Sequence, residues 1–130
     1  MRHRRLSRRF SRCGSHRKAM FLNLCKSLIL HGKLVTTLIR AKDLRRLFEP
    51  MLTRAKVDSV HNRRYLFALL RDNSLVRKLI EEIAVASADR PGGYIRIIRC
   101  GCRKGDGAPR ALVSLVDKPK KTDIEKASKE

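Results

Sequence analysis

Hydrophobic residues recur at helical spacing in several stretches of this chain. The clearest stretch places apolar side chains at i, i+3, i+4, i+7, i+8 and i+11 from Leu44, which predicts an amphipathic helix. Pro50 lies inside that pattern, so a kink or a restarted helix is expected beside it. An earlier helix is predicted from Ser15, a suitable N-cap, through Phe21 until Gly32 ends the pattern.

Two more helices follow, and short segments of a different character surround the helical region. Asp58 or Ser59 can cap a third helix that ends near Leu70, and Asn73 can cap a fourth whose apolar face continues to Ile83. Three segments rich in β-branched or apolar residues are predicted to form strands, at residues 33–36, 94–100 and 111–116.

These elements predict an α+β fold. Helices would cover a small mixed sheet, which gives a two-layer α/β domain with the order α-β-α-α-α-β-β over residues 15–117. Residues 1–14 lack periodicity and are rich in cations, so we expect an extended basic N-terminal arm. Residues 118–130 are mostly charged or small and have little to bury, so we expect a disordered C-terminal tail.

The charge of the chain is strongly unbalanced. Its 130 residues include 32 Lys or Arg and 12 Asp or Glu, which gives a formal net charge of +20. The first acidic residue is Asp43, and the residues before it include twelve Lys or Arg and three His. The chain cannot neutralise that stretch locally, so the expected partner is a polyanion, and nucleic acid is the commonest one. A generic basic tail that binds any polyanion is the alternative interpretation.

The sequence also bears on location. No apolar stretch approaches the roughly twenty residues that a membrane span requires, so we expect a soluble protein without a membrane partner. An Arg- and Ser-rich beginning is also typical of an organellar transit peptide. A transit peptide should show an apolar stripe, whereas Leu6 and Phe10 are the only large hydrophobes between Met1 and Met20. We therefore interpret this stretch as part of the mature protein.

Two segments are candidates for contact with nucleic acid. Arginine dominates the arm, and its planar fork binds phosphate and stacks on bases, which favours folded RNA. His16 and Arg17 lie at the expected start of the first helix, where free backbone amides attract an anion; a merely surface-exposed histidine is the alternative for His16. In residues 90–96, paired glycines let the backbone approach a phosphate and Tyr94 offers a stacking face. The alternative for this second segment is a tight turn with Tyr94 in the core.

Metal binding and catalysis have little support. Cys100 and Cys102 lie two positions apart, where a strand would point both thiols to one side, but the other two cysteines lack the spacing of a second zinc half-site. We therefore expect free thiols and no metal. The chain has no G-x-S-x-G, P-loop or H-E-x-x-H motif, and its adjacent carboxylates, Glu81 and Glu82, would point apart on a helix. No catalytic residue, cofactor or small-molecule substrate is predicted.

Several separate motifs, taken in order, are similar to those of one known family. The chain begins MRHR and continues with R-x-x-x-HRKAM at residues 12–20, N-L-x-x-SL at 23–28, TT-x-x-x-AK at 36–42, EP at 49–50 and DSV-x-NRR at 58–64. It then has GGY-x-RI at 92–97, CG-x-R-x-GD-x-AP at 100–109 and LVD at 115–117. On these motifs, which span nearly all of the chain except the tail, it resembles the bacterial-type large-subunit ribosomal proteins of the L-seventeen family.

The resemblance implies a structural constituent of the large ribosomal subunit that binds large-subunit ribosomal RNA (rRNA) near the polypeptide exit. It also implies a cytoplasmic location in a bacterial or organellar ribosome, beside neighbouring ribosomal proteins and not in a homo-oligomer. The residues that match the family's motifs, and that we therefore expect to bind rRNA, are Arg2, His3, Arg4, Arg12, His16, Arg17, Thr36, Thr37, Arg63, Arg64, Gly92, Gly93, Tyr94, Arg96 and Arg103. A DNA-binding architectural protein is the alternative function, and a basic metalloenzyme is a third.

Overall fold

Within residues 8–117, four helices and three strands follow one another in the predicted order. These residues are the ones that the computed structural model describes. The elements are α1 (Gly14–His31), β1 (Lys33–Thr37), α2 (Leu38–Ala55), α3 (Val60–Leu70), α4 (Asn73–Lys78, continued by a π-helical stretch at Leu79–Ala84), β2 (Ile95–Cys102) and β3 (Pro109–Leu115). The α+β class and the element order are confirmed. The predicted tail and three expected contact residues, Arg2, His3 and Arg4, lie outside the described residues.

Helix α1 begins and ends close to the predicted positions. It begins at Gly14, with Cys13 rather than Ser15 at the N-cap position; the Cys13 thiol lies 3.5 Å from the Ser15 hydroxyl, and no side chain caps the helix. It ends at Gly32, whose φ of 68° is left-handed and whose N–H donates to the Leu28 carbonyl over 2.8 Å. Because glycine has no Cβ, it adopts this conformation without steric cost, and the helical pattern stops there.

Helices α3 and α4 each begin with a side-chain cap. Ser59 accepts a hydrogen bond from the backbone N–H of Asn62 over 3.2 Å, so one of the two predicted caps of α3 is confirmed. At α4 the predicted cap is wrong by one residue: Asp72 accepts from the backbone N–H of Ser74 over 2.9 Å, and Asn73 is the first helical residue. A carboxylate both accepts these bonds and complements the positive end of the helix dipole. The pKa of Asp72 is lowered, chiefly by the hydrogen bond from the Ser74 hydroxyl.

Helix α2 runs through Pro50 without interruption, so the predicted restart is wrong. Proline removes one backbone donor and crowds the preceding turn. The helix nevertheless continues because residues on both sides of Pro50, including Phe48 and Leu52, are buried in the same core. Tertiary packing of an apolar face contributes more to helix stability than one backbone hydrogen bond.

The sheet is antiparallel, whereas a mixed sheet was predicted. Strand β3 lies between the other two and pairs antiparallel with both, in the order β1-β3-β2. The short connection between β2 and β3 requires an antiparallel pair, and β1 then pairs with the other edge of β3. Across the sheet Leu34, Val113 and Ile97 lie in register, so all three face the same side.

The helices and one face of the sheet share a single hydrophobic core. Helix α2 contributes the largest buried face, comprising Ala41, Leu44, Phe48, Met51, Leu52 and Ala55. The predicted apolar face of the fourth helix is also buried, at Leu75, Val76, Leu79, Ile80 and Ile83. None of the helices within residues 8–117 is long and apolar enough to cross a membrane. This packing leaves the first turn of α1 and the outer face of the sheet at the surface.

Replacing Gly32 with alanine is expected to lower the free energy of unfolding by about 1 kcal/mol, because a residue with a Cβ is strained at positive φ. No atom lies within 4 Å of the added Cβ, so the cost would be conformational. Urea denaturation measures this change. Gly14→Ala is the matched control, since Gly14 also has open space around it and is not among the glycines with positive φ. Equal stability of the two variants would contradict the assignment.

Candidate nucleic-acid interface

The segment before α1 turns back onto the helix. Phe10 and Ser11 have positive φ values of 54° and 51°, and the Phe10 ring meets the Phe21 ring edge-on with centroids 5.4 Å apart. The guanidinium of Arg17 donates to the carbonyl of Arg8 over 3.4 Å. This end of the arm predicted over residues 1–14 therefore contacts α1 through Phe10 and Arg8. The aromatic contact and the two positive φ values account for this turn.

This turn places cations around the first turn of α1. Arg12 is half-buried and donates to the Phe10 carbonyl over 3.4 Å, whereas His16 and Lys18 are exposed. The first turn of α1 contains no acidic residue. Two of the expected rRNA contacts, Arg12 and Arg17, thus hold this segment in place, and His16 faces solvent beside them.

A cleft of about 480 Å³ lies between this region, α2 and α3. Its lining combines cationic side chains (Arg8, Arg17, Lys18 and Arg46) with apolar ones (Phe21, Leu22, Leu47 and Leu69), together with Gly14 and Asp43. Asp43 lies 3.9 Å from the guanidinium of Arg46. The fold thus brings Arg46 of α2 together with the cations of the arm and of the start of α1. Arg46 lies on the side of α2 opposite its apolar face, and this position is the sequence feature that could have predicted it as a contact.

The expected contacts on α3 have different surroundings. Arg63 forms two hydrogen bonds with Asp58, at 2.6 and 2.7 Å, and these bonds lower the pKa of Asp58. Arg64 is exposed. Nearby, the guanidinium of Arg54 stacks on the Tyr65 ring, 4.1 Å from its centroid. Arg63 is therefore partly neutralised within the chain, while Arg64 presents its charge to solvent.

The Gly92–Gly93–Tyr94 turn is fastened to α2. Tyr94 is only 2 % exposed, and its hydroxyl lies 3.3 Å from the Thr53 hydroxyl. The Gly93 N–H donates to Glu49 over 3.0 Å. The alternative of a tight turn with Tyr94 in the core is therefore correct for this ring, which has no open face on which a base could stack. Burial opposes ionisation of Tyr94, but hydrogen bonds from Thr53 and Lys56 outweigh it, and the pKa is lowered.

Lys56 completes the attachment of this loop. Its ammonium group donates to the carbonyls of Arg90 and Ala88 and lies 4.6 Å from the centroid of the Tyr94 ring. Arg90 in turn forms two hydrogen bonds with Asp117, at 2.8 and 3.1 Å, which lower the pKa of that carboxyl. The EP, GGY and LVD motifs thus meet at one place.

The sequence contained a signal for this attachment that periodicity arguments missed. Glu49, Thr53 and Lys56 lie at i, i+4 and i+7 of α2, so they form a polar stripe beside its buried face. Such a stripe predicts a polar contact with another segment. Its partner could not be predicted, because the turn lies about forty residues away along the chain.

The outer face of the sheet carries two further residues that were expected to contact rRNA, Arg96 and Thr37. Arg96 lies in register with Ser114 and Lys33, and Thr37 lies opposite Arg110, all on the outer side. Thr36 lies opposite the buried Ala111, so its side chain faces the helices. Within residues 8–117, Lys33, Arg96 and Arg110 form no ion pair.

The hairpin loop between β2 and β3 is closed by local bonds. Arg103 pairs with Asp106, and the Asp106 carboxylate also accepts from the backbone N–H of Ala108 over 3.2 Å. These bonds hold the pKa of Asp106 well below its usual range, and the bond from Arg103 is the largest cause. Arg103 therefore fixes the loop as well as presenting charge at its surface.

The cysteines do not form a metal centre in the part of the chain that is described. All four are free, and no group of three or more His, Cys, Asp or Glu side chains comes together within residues 8–117. Between Arg99 and Cys102 the register of β2 shifts, and Gly101 has a φ of 71°. This irregularity breaks the alternation that would have pointed Cys100 and Cys102 to one side. Cys25 lies in the core, where burial raises the pKa of its thiol to about 12.

Comparison with known protein families agrees with the motifs. A family model described as ribosomal protein L17 matches residues 20–116 of this chain, which is more than half of its length. The chain belongs to this family. The resemblance to the L-seventeen family is thereby confirmed, and with it a role as a ribosomal protein of the large subunit, in a ribonucleoprotein that carries out translation. Members of the ribosomal protein L17 family have a structural role and not an enzymatic one.

Replacing Lys56 with methionine is expected to lower the free energy of unfolding by about 1–2 kcal/mol, because two backbone carbonyls lose a charged donor and the Tyr94 ring loses its cation. Lys42→Met is the matched control, since Lys42 is exposed on the same helix and its replacement should change the stability by less than about 0.5 kcal/mol. Urea denaturation followed by circular dichroism compares the two variants. If Lys56→Met and Lys42→Met had the same free energy of unfolding, the attachment of the turn to α2 would contribute nothing to stability.

Proposed function

We propose that this chain binds large-subunit rRNA near the polypeptide exit and holds separate RNA segments together by neutralising their phosphates. The observation that carries the proposal is the distribution of charge. The chain has 32 basic and 12 acidic residues, and carboxylates at Asp58, Asp106 and Asp117 are already engaged with arginines of the same domain. Most of the cations therefore require phosphates from outside the chain.

The cations lie on several separated elements, which supports cross-bridging. One group surrounds the first turn of α1, and a second lies on the outer face of the sheet. Arg64 on α3 and Arg103 in the hairpin loop add two more positions. A rigid domain with cations in several directions can contact more than one RNA segment at once, because each contact is an independent phosphate interaction.

The expected contact residues have unequal support. His16, Arg17, Thr37, Arg64, Arg96 and Arg103 are at the surface or half-buried, and we retain them together with Arg12 as proposed contacts. Gly92 and Gly93 can contact RNA only through the backbone beside the attached turn. Arg63, already bound to Asp58, offers a weaker phosphate contact, and Thr36 and Tyr94 are proposed to act through the structure of the domain.

The wider setting is part of the same proposal. We place the chain in a bacterial or organellar ribosome of the cytoplasm or organelle interior, as one copy beside neighbouring large-subunit proteins. Membership of the ribosomal protein L17 family supports this setting. Because the affinity for RNA would come from phosphates, the proposal predicts binding without a cofactor or a small-molecule ligand.

The isolated protein is expected to bind large-subunit rRNA with a steep dependence on salt. With six to ten phosphate contacts, the affinity should fall by about 10³ to 10⁵ between 50 and 200 mM salt. The double variant Arg17→Gln, Lys18→Gln should reduce the slope of log affinity against log salt by about 2, because each cation contributes about one released counterion. Filter binding across a salt series measures both quantities.

Arg77→Gln is the matched control for this experiment. Arg77 is exposed but is already paired with Glu81 over 2.8 Å, so its replacement should leave the slope nearly unchanged. Affinity that does not depend on salt would contradict phosphate neutralisation. An equal loss of slope in the control and in the double variant would show that the first turn of α1 has no special part in binding.

A further inference from the structure

The cleft between α1, α2 and α3 has an apolar lining that includes one leucine outside the core packing. Leu22, Leu47 and Leu69, one from each helix, are half-buried and line it. Leu47 and Leu69 pack against the core with their other sides, whereas Leu22 is not part of the core packing. A half-buried leucine outside the core packing offers apolar surface to a ligand.

The rim of the same cleft is cationic. Arg8, Arg17, Lys18 and Arg46 contribute to the lining, and the carboxylate among the described lining residues, Asp43, lies 3.9 Å from the Arg46 guanidinium. The cleft therefore combines an apolar interior with a positive rim. Its volume of about 480 Å³ lies in the range of sites that bind small organic molecules, roughly 300–1,000 Å³.

We propose that this cleft binds one unstacked nucleotide of the rRNA, with the base between the three leucines and the neighbouring phosphates on the cationic rim. The proposal rests on the function proposed above and specifies one of its contacts. The cleft proposal requires a base that has left its RNA helix, whereas phosphate neutralisation alone does not.

The chemistry of the cleft favours an unstacked base over two other occupants. An RNA duplex presents phosphates and sugars at its surface and keeps the flat faces of its bases stacked, so it would satisfy the rim and leave the leucines in water. An apolar protein segment would cover the leucines but would bring no counter-charge to Arg8, Arg17 and Lys18, and burying a cation without an opposite charge is costly. A looped-out nucleotide carries an apolar face and an anion in one unit, and Arg17 can also stack on it.

The test compares two probes that have the same number of phosphates. One is a single-stranded RNA decamer of mixed sequence, and the other is an abasic ribose-phosphate decamer. The full-length protein should bind the first more tightly than the second by about tenfold, because only the first has a base whose apolar face can leave water between the leucines. Fluorescence anisotropy at fixed salt gives both dissociation constants and their ratio.

Leu22→Gln makes the cleft polar without changing its charge and should reduce that ratio about fivefold, as expected for the loss of roughly half a leucine's apolar contact. Leu30→Gln is the matched control, because Leu30 lies at the far end of the same helix and is 50 % exposed. It should keep the wild-type ratio. Thermal unfolding of both variants, followed by circular dichroism, shows that each is folded at the temperature of the binding assay.

The outcomes separate this proposal from the one on which it rests. Equal, salt-dependent binding of both probes by the wild-type protein would leave phosphate neutralisation intact and overturn the cleft proposal. An unchanged ratio in Leu22→Gln would also overturn it, and if that variant nevertheless assembled poorly into subunits, a protein segment would be the occupant. Failure of the wild-type protein to bind either probe at any salt concentration would count against both proposals.

Discussion

The domain carries a positive charge that it cannot neutralise by itself, and this charge dominates its surface. Its few carboxylates already have local tasks: Asp72 caps a helix, Glu49 accepts from the turn at Gly93, and Asp117 holds Arg90. An exposed ion pair adds little stability, so these acids act mainly by positioning segments. The remaining cations repel one another in the isolated chain. Phosphates bound at the surface would remove that repulsion, so assembly into the ribosome would also favour the folded state.

Helix α2 connects the core with the charged surface. One side of it carries the largest buried apolar face of the domain, which includes Leu44 and Phe48. The adjacent stripe, through Lys56, holds the turn that leads into the sheet. Arg46, near the middle of α2, lines the cleft beside α1. Because one element contacts the core, the turn and the cleft, hydrophobic packing sets the relative positions of the cations on these parts of the domain.

Local sequence patterns predicted the elements well and their long-range relations poorly. The end of α1 at Gly32 and the buried face of α2 followed from helical periodicity and glycine's freedom at positive φ. The role of Tyr94 did not, because a Gly-Gly-Tyr segment reads equally as a nucleic-acid contact or as a turn until the hydroxyl of Thr53 is known to lie beside it. Uninterrupted packing around Pro50 was likewise a tertiary effect.

For the candidate interface too, local features could be predicted and long-range relations could not. Net charge and arginine content predicted a polyanion partner, and family membership supports a ribosomal one. Which cations lie together could not be predicted, because the cleft joins side chains from the segment before α1 with side chains from α2 and α3. Arg63 and Arg103 were expected to be simple RNA contacts, but nearby aspartates bind both. Such pairs depend on how a loop closes, and that geometry is not encoded in residue type alone.

The most direct test of phosphate neutralisation is to measure how fast single lysines react with acetic anhydride in the free protein and in the assembled large subunit. Lys18 is exposed beside the cleft, whereas Lys78 donates to the Leu30 carbonyl over 3.2 Å and serves as the internal reference. If rRNA phosphates cover the first turn of α1, assembly will slow acetylation of Lys18 by about tenfold or more relative to Lys78. Equal relative rates in the free and assembled states would contradict the account.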